Sequence, residues 1–177
     1  MFGQSRYFRQ FLQNNWRDLY RVAYVWTHDS QLASDLVQET ITRCLKHRQK
    51  FENEKQLKVW LFKVMSNCWH DHFRRQKNNV ELDSVDLYSS TNLEEEYYRL
   101  QVMKHVQQAF EVLKSDYREA LSLVVIEGMS YEDVSQVLDI PIGTVMSRVS
   151  RARSRLKELM KDVHLNDELA TNVWSIK

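Results

Sequence analysis

The chain has 177 residues and is nearly neutral, with 25 lysines and arginines against 24 aspartates and glutamates, and it holds three glycines, one proline and two cysteines. So few turn formers argue against an all-β fold, and two cysteines are too few for a disulfide framework, so a reduced cytosolic protein is the simple expectation. No apolar run approaches the roughly 18–20 residues of a membrane span, and MFGQSRYFRQ lacks the apolar stretch of a signal peptide, so a cytoplasmic location is expected.

The segment from Tyr7 to Lys77 reads as helices. Phe11, Leu12, Leu19, Val22 and Ala23 recur at helical spacing, and Leu32, Leu36, Val37, Ile41 and Leu45 repeat the pattern after His28-Asp29-Ser30, which offers N-cap oxygens. A third helix is expected from about Lys55 to Arg75. Charge is unevenly spread along the chain. Between Asn79 and Tyr98 there is no lysine or arginine, but Glu81, Asp83, Asp86, Glu94, Glu95 and Glu96 are present. This stretch has no sustained period, so residues 79–98 are expected to be a flexible acidic linker. Val102, Val106, Phe110 and Leu113, then Tyr117, Ala120, Leu121, Val124 and Val125, predict two more amphipathic helices. The fold class is therefore all-α, with two small helical domains, 1–78 and 99–161, followed by a tail from 162 to 177. In the tail, Leu165, Leu169, Val173 and Trp174 fit a short amphipathic helix, though fraying is expected of a terminus.

Residues 128–159 carry the clearest motif. Gly128 is a natural stop for the helix before it. Ser130 and Asp133 resemble a capping box and start YEDVSQVL, with Val134, Val137 and Leu138 inward. Asp139-Ile140-Pro141-Ile142-Gly143 breaks that helix, with glycine tolerating the turn, and Thr144 is expected to cap the next one. A short helix, a tight turn and a longer basic helix form a helix-turn-helix, the second helix of which enters DNA. At about 100° per residue, Val145, Val149, Ala152 and Leu156 share the core face. Ser147, Ser150, Arg151 and Ser154 lie opposite, Arg148 and Arg155 on one flank, Met146 and Arg153 on the other. Small hydroxyl residues and a bidentate donor suit base edges, so Ser147, Ser150 and Arg151 are the expected base readers. Arg148, Arg153 and Arg155 suit phosphates.

KVWLFKVMSNCWHDHFRR differs. Leu57, Leu61, Val64, Met65, Cys68 and His72 share one face of its wheel, and Phe62, Lys63, Ser66, Asn67, His70 and Arg74 lie opposite, flanked by Trp60 and Trp69. An outward phenylalanine among cations and an amide suits unstacked bases and their backbone. The alternative is that these aromatics pack a neighbouring helix, and the pattern alone leaves both open. Cys68-x-His70-x-His72 is not a metal motif, because on a helix the two histidines point about 160° apart and Cys68 faces inward. Cys44 and His47 could share a face but lack further ligands. No cofactor is expected, and with no Ser/His/acid arrangement or glycine-rich phosphate loop, neither is catalysis by the chain alone.

Taken together, these blocks resemble the extracytoplasmic-function (ECF) class of bacterial sigma factors, over nearly the whole chain up to about Met160. DLVQETITRCLKH is similar to the helix by which such factors grip the clamp of the polymerase's largest subunit. KVWLFKVMSNCWHDHFRR is similar to the helix that melts and reads the minus-ten promoter element, and YREALSLVVIEGMSYEDVSQVLDIPIGTVMSRVSRARSRL to the domain that reads the minus-thirty-five element. The resemblance implies that Asp35, Leu36, Gln38, Glu39 and Thr40 meet polymerase, and that Trp60 and Asn67 support strand opening and contact the non-template strand; Lys63 and Arg74, from the wheel's outer face, are the further DNA contacts expected on this helix. It implies that the loop from Phe51 to Gln56 helps hold a flipped base, and that Ser147, Ser150 and Arg151 read the groove. The implied partners are core polymerase (clamp and second-largest-subunit flap), promoter DNA as duplex and single strand, and an anti-sigma protein. It also implies that the linker threads toward the active centre and RNA exit path. Met146 departs from the pattern, standing where many relatives have arginine or lysine. A stand-alone helix-turn-helix regulator would explain the C-terminal half but leave DLVQET and the Phe62–Asn67 face without a purpose. A DNA-processing enzyme would need clustered acids for metal ions, and the acids here lie in the linker and on solvated faces.

Overall fold

The computed structural model describes residues 2–46, 51–76 and 110–159. They form six helices: α1 (Phe2–Thr27), α2 (Ser30–Lys46), α3 (Glu54–Gln76), α4 (Ser115–Val125), α5 (Tyr131–Leu138) and α6 (Ile142–Leu159). The fold is all-α, as the scarcity of turn residues requires, and there is no strand among the described residues. The expected acidic linker, most of the helix expected around Val102 and Val106, and the tail lie outside the described residues.

Each N-terminal boundary has a local cause. His28 adopts a left-handed φ of 54° after α1, and the Asp29 carboxylate then accepts the Leu32 N–H at 2.7 Å, capping α2. Before α3, Asn53 Oδ1 accepts the Gln56 N–H at 2.9 Å, and Gln56 Oε1 accepts the Glu52 N–H at 3.2 Å. Phe11, Leu12, Leu19, Val22 and Ala23 of α1 and Leu36 and Val37 of α2 are buried, as their spacing predicts. Leu45 departs from its predicted face: it is exposed, while Cys44 beside it is buried.

In the C-terminal half, Gly128 takes a left-handed φ of 62° and lets the chain leave α4, with the Met129 N–H bonded to the Leu123 carbonyl at 3.2 Å. Ser130 caps α5 by accepting the Asp133 N–H at 3.2 Å and donating its hydroxyl to the Asp133 carboxylate at 2.8 Å. The next turn differs from the sequence expectation. Its left-handed residue is Asp139, with φ 54°, and Gly143 lies inside α6, which starts at Ile142 rather than after a Thr144 cap. Two physical features account for this. Aspartate tolerates the left-handed region, and the Ile140 N–H closes the turn on the Ser135 carbonyl at 3.2 Å. Pro141, with φ fixed near the helical value, starts the first turn: its carbonyl accepts the Thr144 N–H at 2.8 Å and the Val145 N–H at 3.1 Å.

The two halves do not stand apart. α1 packs against α4, and α3 packs against α5. Trp26 at the end of α1 donates its indole N–H to the Ser122 hydroxyl of α4 at 2.7 Å, both side chains buried. Among the described residues no helix is long and apolar enough to cross a membrane.

Candidate nucleic-acid interface

The wheel of α6 is realised as its sequence predicts. Val145, Val149, Ala152 and Leu156 are all at most 1 % exposed, which pins the opposite face outward. Ser150, Arg151, Ser154 and Arg155 are exposed, and Ser147 is half-buried with its hydroxyl donating to the Thr144 carbonyl at 3.0 Å. Arg148 reaches back to Asp116 of α4 at 2.8 Å, and Arg155 pairs with Glu158 at 3.1 Å, so both already hold a carboxylate. Arg153 is half-buried, and Met146 is exposed on its flank. Arg151 is exposed on the outer face of α6, and its guanidinium carries five donors.

α3 corrects the sequence reading. Leu57, Leu61, Met65 and Cys68 are buried as expected, but Phe62 is 0 % and Ser66 1 % exposed, on the face read as outward. Of that face, Asn67 and Arg74 are exposed and Lys63 is half-buried. The neighbouring-helix alternative is the one realised: α3 lies between the N-terminal helices and the C-terminal half, and both of its sides are covered. Trp60 sits in an aromatic cluster, 5.0 Å from the Phe51 ring and 6.2 Å from Phe8. The loop from Phe51 to Gln56 lines, with Trp60 and Lys63, a cleft of about 840 Å³ whose far wall includes Asp139, Ile140 and Pro141. Trp69, expected on a flank, is buried against Phe73, its ring 4.2 Å away.

On α2, Asp35, Gln38 and Glu39 are exposed on one side. Leu36 and Thr40 face inward, Thr40 donating its hydroxyl to the Leu36 carbonyl at 2.7 Å, so these two shape the helix rather than its surface. Arg43 bridges Glu39 at 2.7 Å and Asp71 of α3 at 3.0 Å. Hydrogen bonds from Arg43 and then Arg74 hold the Asp71 carboxyl below its ordinary pKa, and the hydrogen bonds to Asp71 and then Glu39 raise that of Arg43. Burial pushes the Cys44 thiol up to about 12 and raises Cys68 as well, so both thiols stay protonated and behave as core residues.

A row of charged contacts lies between the halves, and of its members on α3 the wheel had singled out Lys63 and His70 but not Lys55 or Lys58. On α3, Lys55 meets Asp133 at 3.0 Å, Lys58 meets Glu127 at 2.9 Å, Lys63 meets Asp139 at 3.7 Å, and His70 meets Glu119 at 2.9 Å. The side chains of Glu127 and Glu119 are only 1 % and 3 % exposed. Burial raises the pKa of Glu127, and the hydrogen bond from His70 to Glu119 raises that of His70. His28 behaves oppositely: burial, helped by the Arg118 charge, pushes it down to about 4. Since a guanidinium only donates, the contact with Arg118 assigns His28 Nε2 as an acceptor and the ring as neutral. The one signal in the sequence was the recurrence of cations on α3 opposite acids in the C-terminal half.

Comparison with known families matches the Sigma-70 region 2 model over residues 11–79 and the Sigma-70 region 4 model over residues 104–156. The chain is 36 % identical over 137 residues to the ECF RNA polymerase sigma factor EcfG of Rhodopseudomonas palustris, covering 72 % of this chain and 71 % of that one. It is 32 % identical over 154 residues to the ECF RNA polymerase sigma factor SigM of Bacillus subtilis, covering 85 % and 93 %. Among solved structures it resembles the sigma factor RpoE of Bartonella quintana, seen in complex with the anti-sigma factor NepR. That similarity has a TM-score of 0.72 at 31 % identity and covers 89 % of this chain and 98 % of RpoE.

Proposed function

This chain belongs to the ECF RNA polymerase sigma factors, and on that premise we propose that it directs core polymerase to promoters by reading the minus-thirty-five element with α6 and capturing the melted minus-ten strand on α3. The observation that carries this reading is the outer face of α6. Ser150 and Arg151 are exposed opposite a fully buried stripe, at the end of a helix-turn-helix whose caps fix its angle. Ser147, Ser150 and Arg151 read base edges, and Arg148, Arg153 and Arg155 hold the phosphates that set register. Residues 99–161 form this duplex-reading unit, and residues 1–78 the strand-capturing one.

On the N-terminal unit, Trp60 and the Phe51–Gln56 loop supply aromatic surface, while Asn67, Lys63 and Arg74 supply polar contacts and charge. Asp35, Gln38 and Glu39 offer an acidic and amide edge to the polymerase clamp, with Leu36 and Thr40 supporting them from beneath. The C-terminal unit meets the flap of the second-largest subunit. All bond making belongs to polymerase. The complex of the similar RpoE with NepR supports an anti-sigma protein as a further partner.

Run-off transcription with core polymerase on genomic fragments tests the proposal. Selective transcripts that depend on this chain are expected, and their absence on every fragment would overturn it. Co-purification separates the rival class, since tight duplex binding with no affinity for core polymerase would leave only a stand-alone regulator.

A further inference from the structure

The flank of α6 beside its base-reading face is apolar where the helix begins. Ile142 is 40 % and Met146 52 % exposed, and with the exposed Ser150 they follow one another at four-residue intervals. That spacing turns each side chain by only about 40° from the last, so the three line one edge of the helix. Neither apolar side chain belongs to the core, which Val145 and Val149 reach from the adjoining face. Gly143, between the two in sequence, is exposed as well. A methyl group there would meet nothing within 4 Å, and its φ is not left-handed, so neither packing nor backbone conformation in this molecule calls for glycine. Glycine inside a helix is destabilising relative to alanine; what it allows is close approach of the backbone to something outside the protein. Exposed apolar side chains are common singly. Here two stand one turn apart, in line with Ser150, at the end of the helix that reads bases. The pair is too small for the core of a protein interface, which needs about 800 Å² a side.

We infer that Ile142 and Met146 are specificity residues that read the C5-methyl groups of thymines in the minus-thirty-five element. The thymine methyl is the one apolar group that base pairs present in the major groove, and an apolar side chain is its natural partner. The inference rests on the duplex-reading role proposed for α6, and it adds a chemistry that the serines and arginines of that helix lack. Four residues of helix advance about 6 Å, close to two base-pair steps of about 3.4 Å, so the pair spans neighbouring positions of one element. Gly143 lets the backbone between them come near the base edges. Ile142, β-branched and stiff, fixes its contact, while the unbranched Met146 adapts to the shape it meets.

Deoxyuridine tests this directly, since it pairs as thymidine does and lacks only the methyl. The probe is a fluorescein-labelled promoter duplex recovered by run-off transcription, bound by the full chain together with core polymerase. Each thymidine of the minus-thirty-five element is replaced in turn. At one or more positions deoxyuridine is expected to weaken binding about three- to fourfold, the worth of one buried methyl. Each such penalty should vanish in Met146→Gln or in Ile142→Gln, with the unfolding midpoint unchanged because both side chains are exposed. Gly143→Ala should raise that midpoint yet weaken duplex binding several-fold, opposite signs that a purely structural glycine would not give. Arg151→Ala is the control for the underlying reading of α6. If it weakens binding while deoxyuridine is tolerated at every position, the inference falls and α6 remains the duplex reader. If Arg151→Ala has no effect, the reading of α6 fails and takes the inference with it. A penalty that survives in both glutamine variants would also overturn the inference, as would unaltered binding by Gly143→Ala.

Discussion

α3 and α6 are both basic amphipathic helices on which the sequence puts nucleic-acid contacts, yet the fold treats them differently. α6 buries one stripe and leaves the other side to solvent. The middle of its outer face is serine and arginine, residues that cost much to bury unpaired. α3 buries two sides, because the middle of its outer face holds Val59 and Phe62, and only the rim is charged. Cations on a helix mark a surface that wants negative charge. The residues between the cations decide whether that charge comes from solvent and ligand or from the protein itself.

The largest expected effect separates the two helices by stability. Phe62→Ala should cost about 3–5 kcal/mol, as a fully buried phenylalanine does, whereas Met146→Ala on α6 should stay within about 0.5 kcal/mol. Chemical denaturation of both variants checks this, and a neutral Phe62→Ala would return that side chain to the surface. The next effect separates them by binding. Arg151→Ala should cost about 1–3 kcal/mol of duplex affinity and relax specificity at one upstream base pair, with no change in unfolding midpoint. Binding to promoter duplexes varied one pair at a time would show it. Smaller still, Met146→Arg should add about one phosphate contact, seen as a slightly steeper loss of duplex affinity with salt.

The smallest effect is a pH dependence of the contact between the halves. His70 has its pKa raised above the ordinary 6.5 by Glu119, with Asp116 of α4 adding to the shift and Arg74 on its own helix opposing it. Its contribution to that contact is therefore complete below pH 6.5 and is lost as pH rises through the raised value. Glu127, raised by burial, loses its contribution in the same direction. His28 has the opposite sign: its contribution is present above 6.5 and is lost as pH falls toward about 4. The urea midpoint should thus fall modestly from pH 6.5 to 8. His70→Gln should flatten that fall.

Much of this was legible in the sequence. The α3 expected from Lys55 to Arg75 runs Glu54–Gln76, and the four-residue stripe of α6 is buried as its wheel requires. A wheel reports which residues share a face and not what covers that face, so the burial of Phe62 and Ser66 was not decided by spacing. The signal available was that Val59 and Phe62, both apolar, sit near the middle of the supposedly open side. The start of α6 was missed for a local reason: glycine was given the turn, while Asp139 took the left-handed conformation and Pro141 began the helix. Leu36 and Thr40 on α2 show the same limit, since a resemblance assigns a helix a role without saying which of its side chains are buried.

The Glu127 carboxylate, 1 % exposed against Lys58 of α3, also has a consequence for how the molecule loses its structure. Lys58→Ala would leave that carboxylate covered and unmatched, and an unmatched buried charge costs far more than an exposed pair contributes. The two helical halves would then melt as separate units rather than as one, so a single charge on α3 decides how many transitions the chain shows.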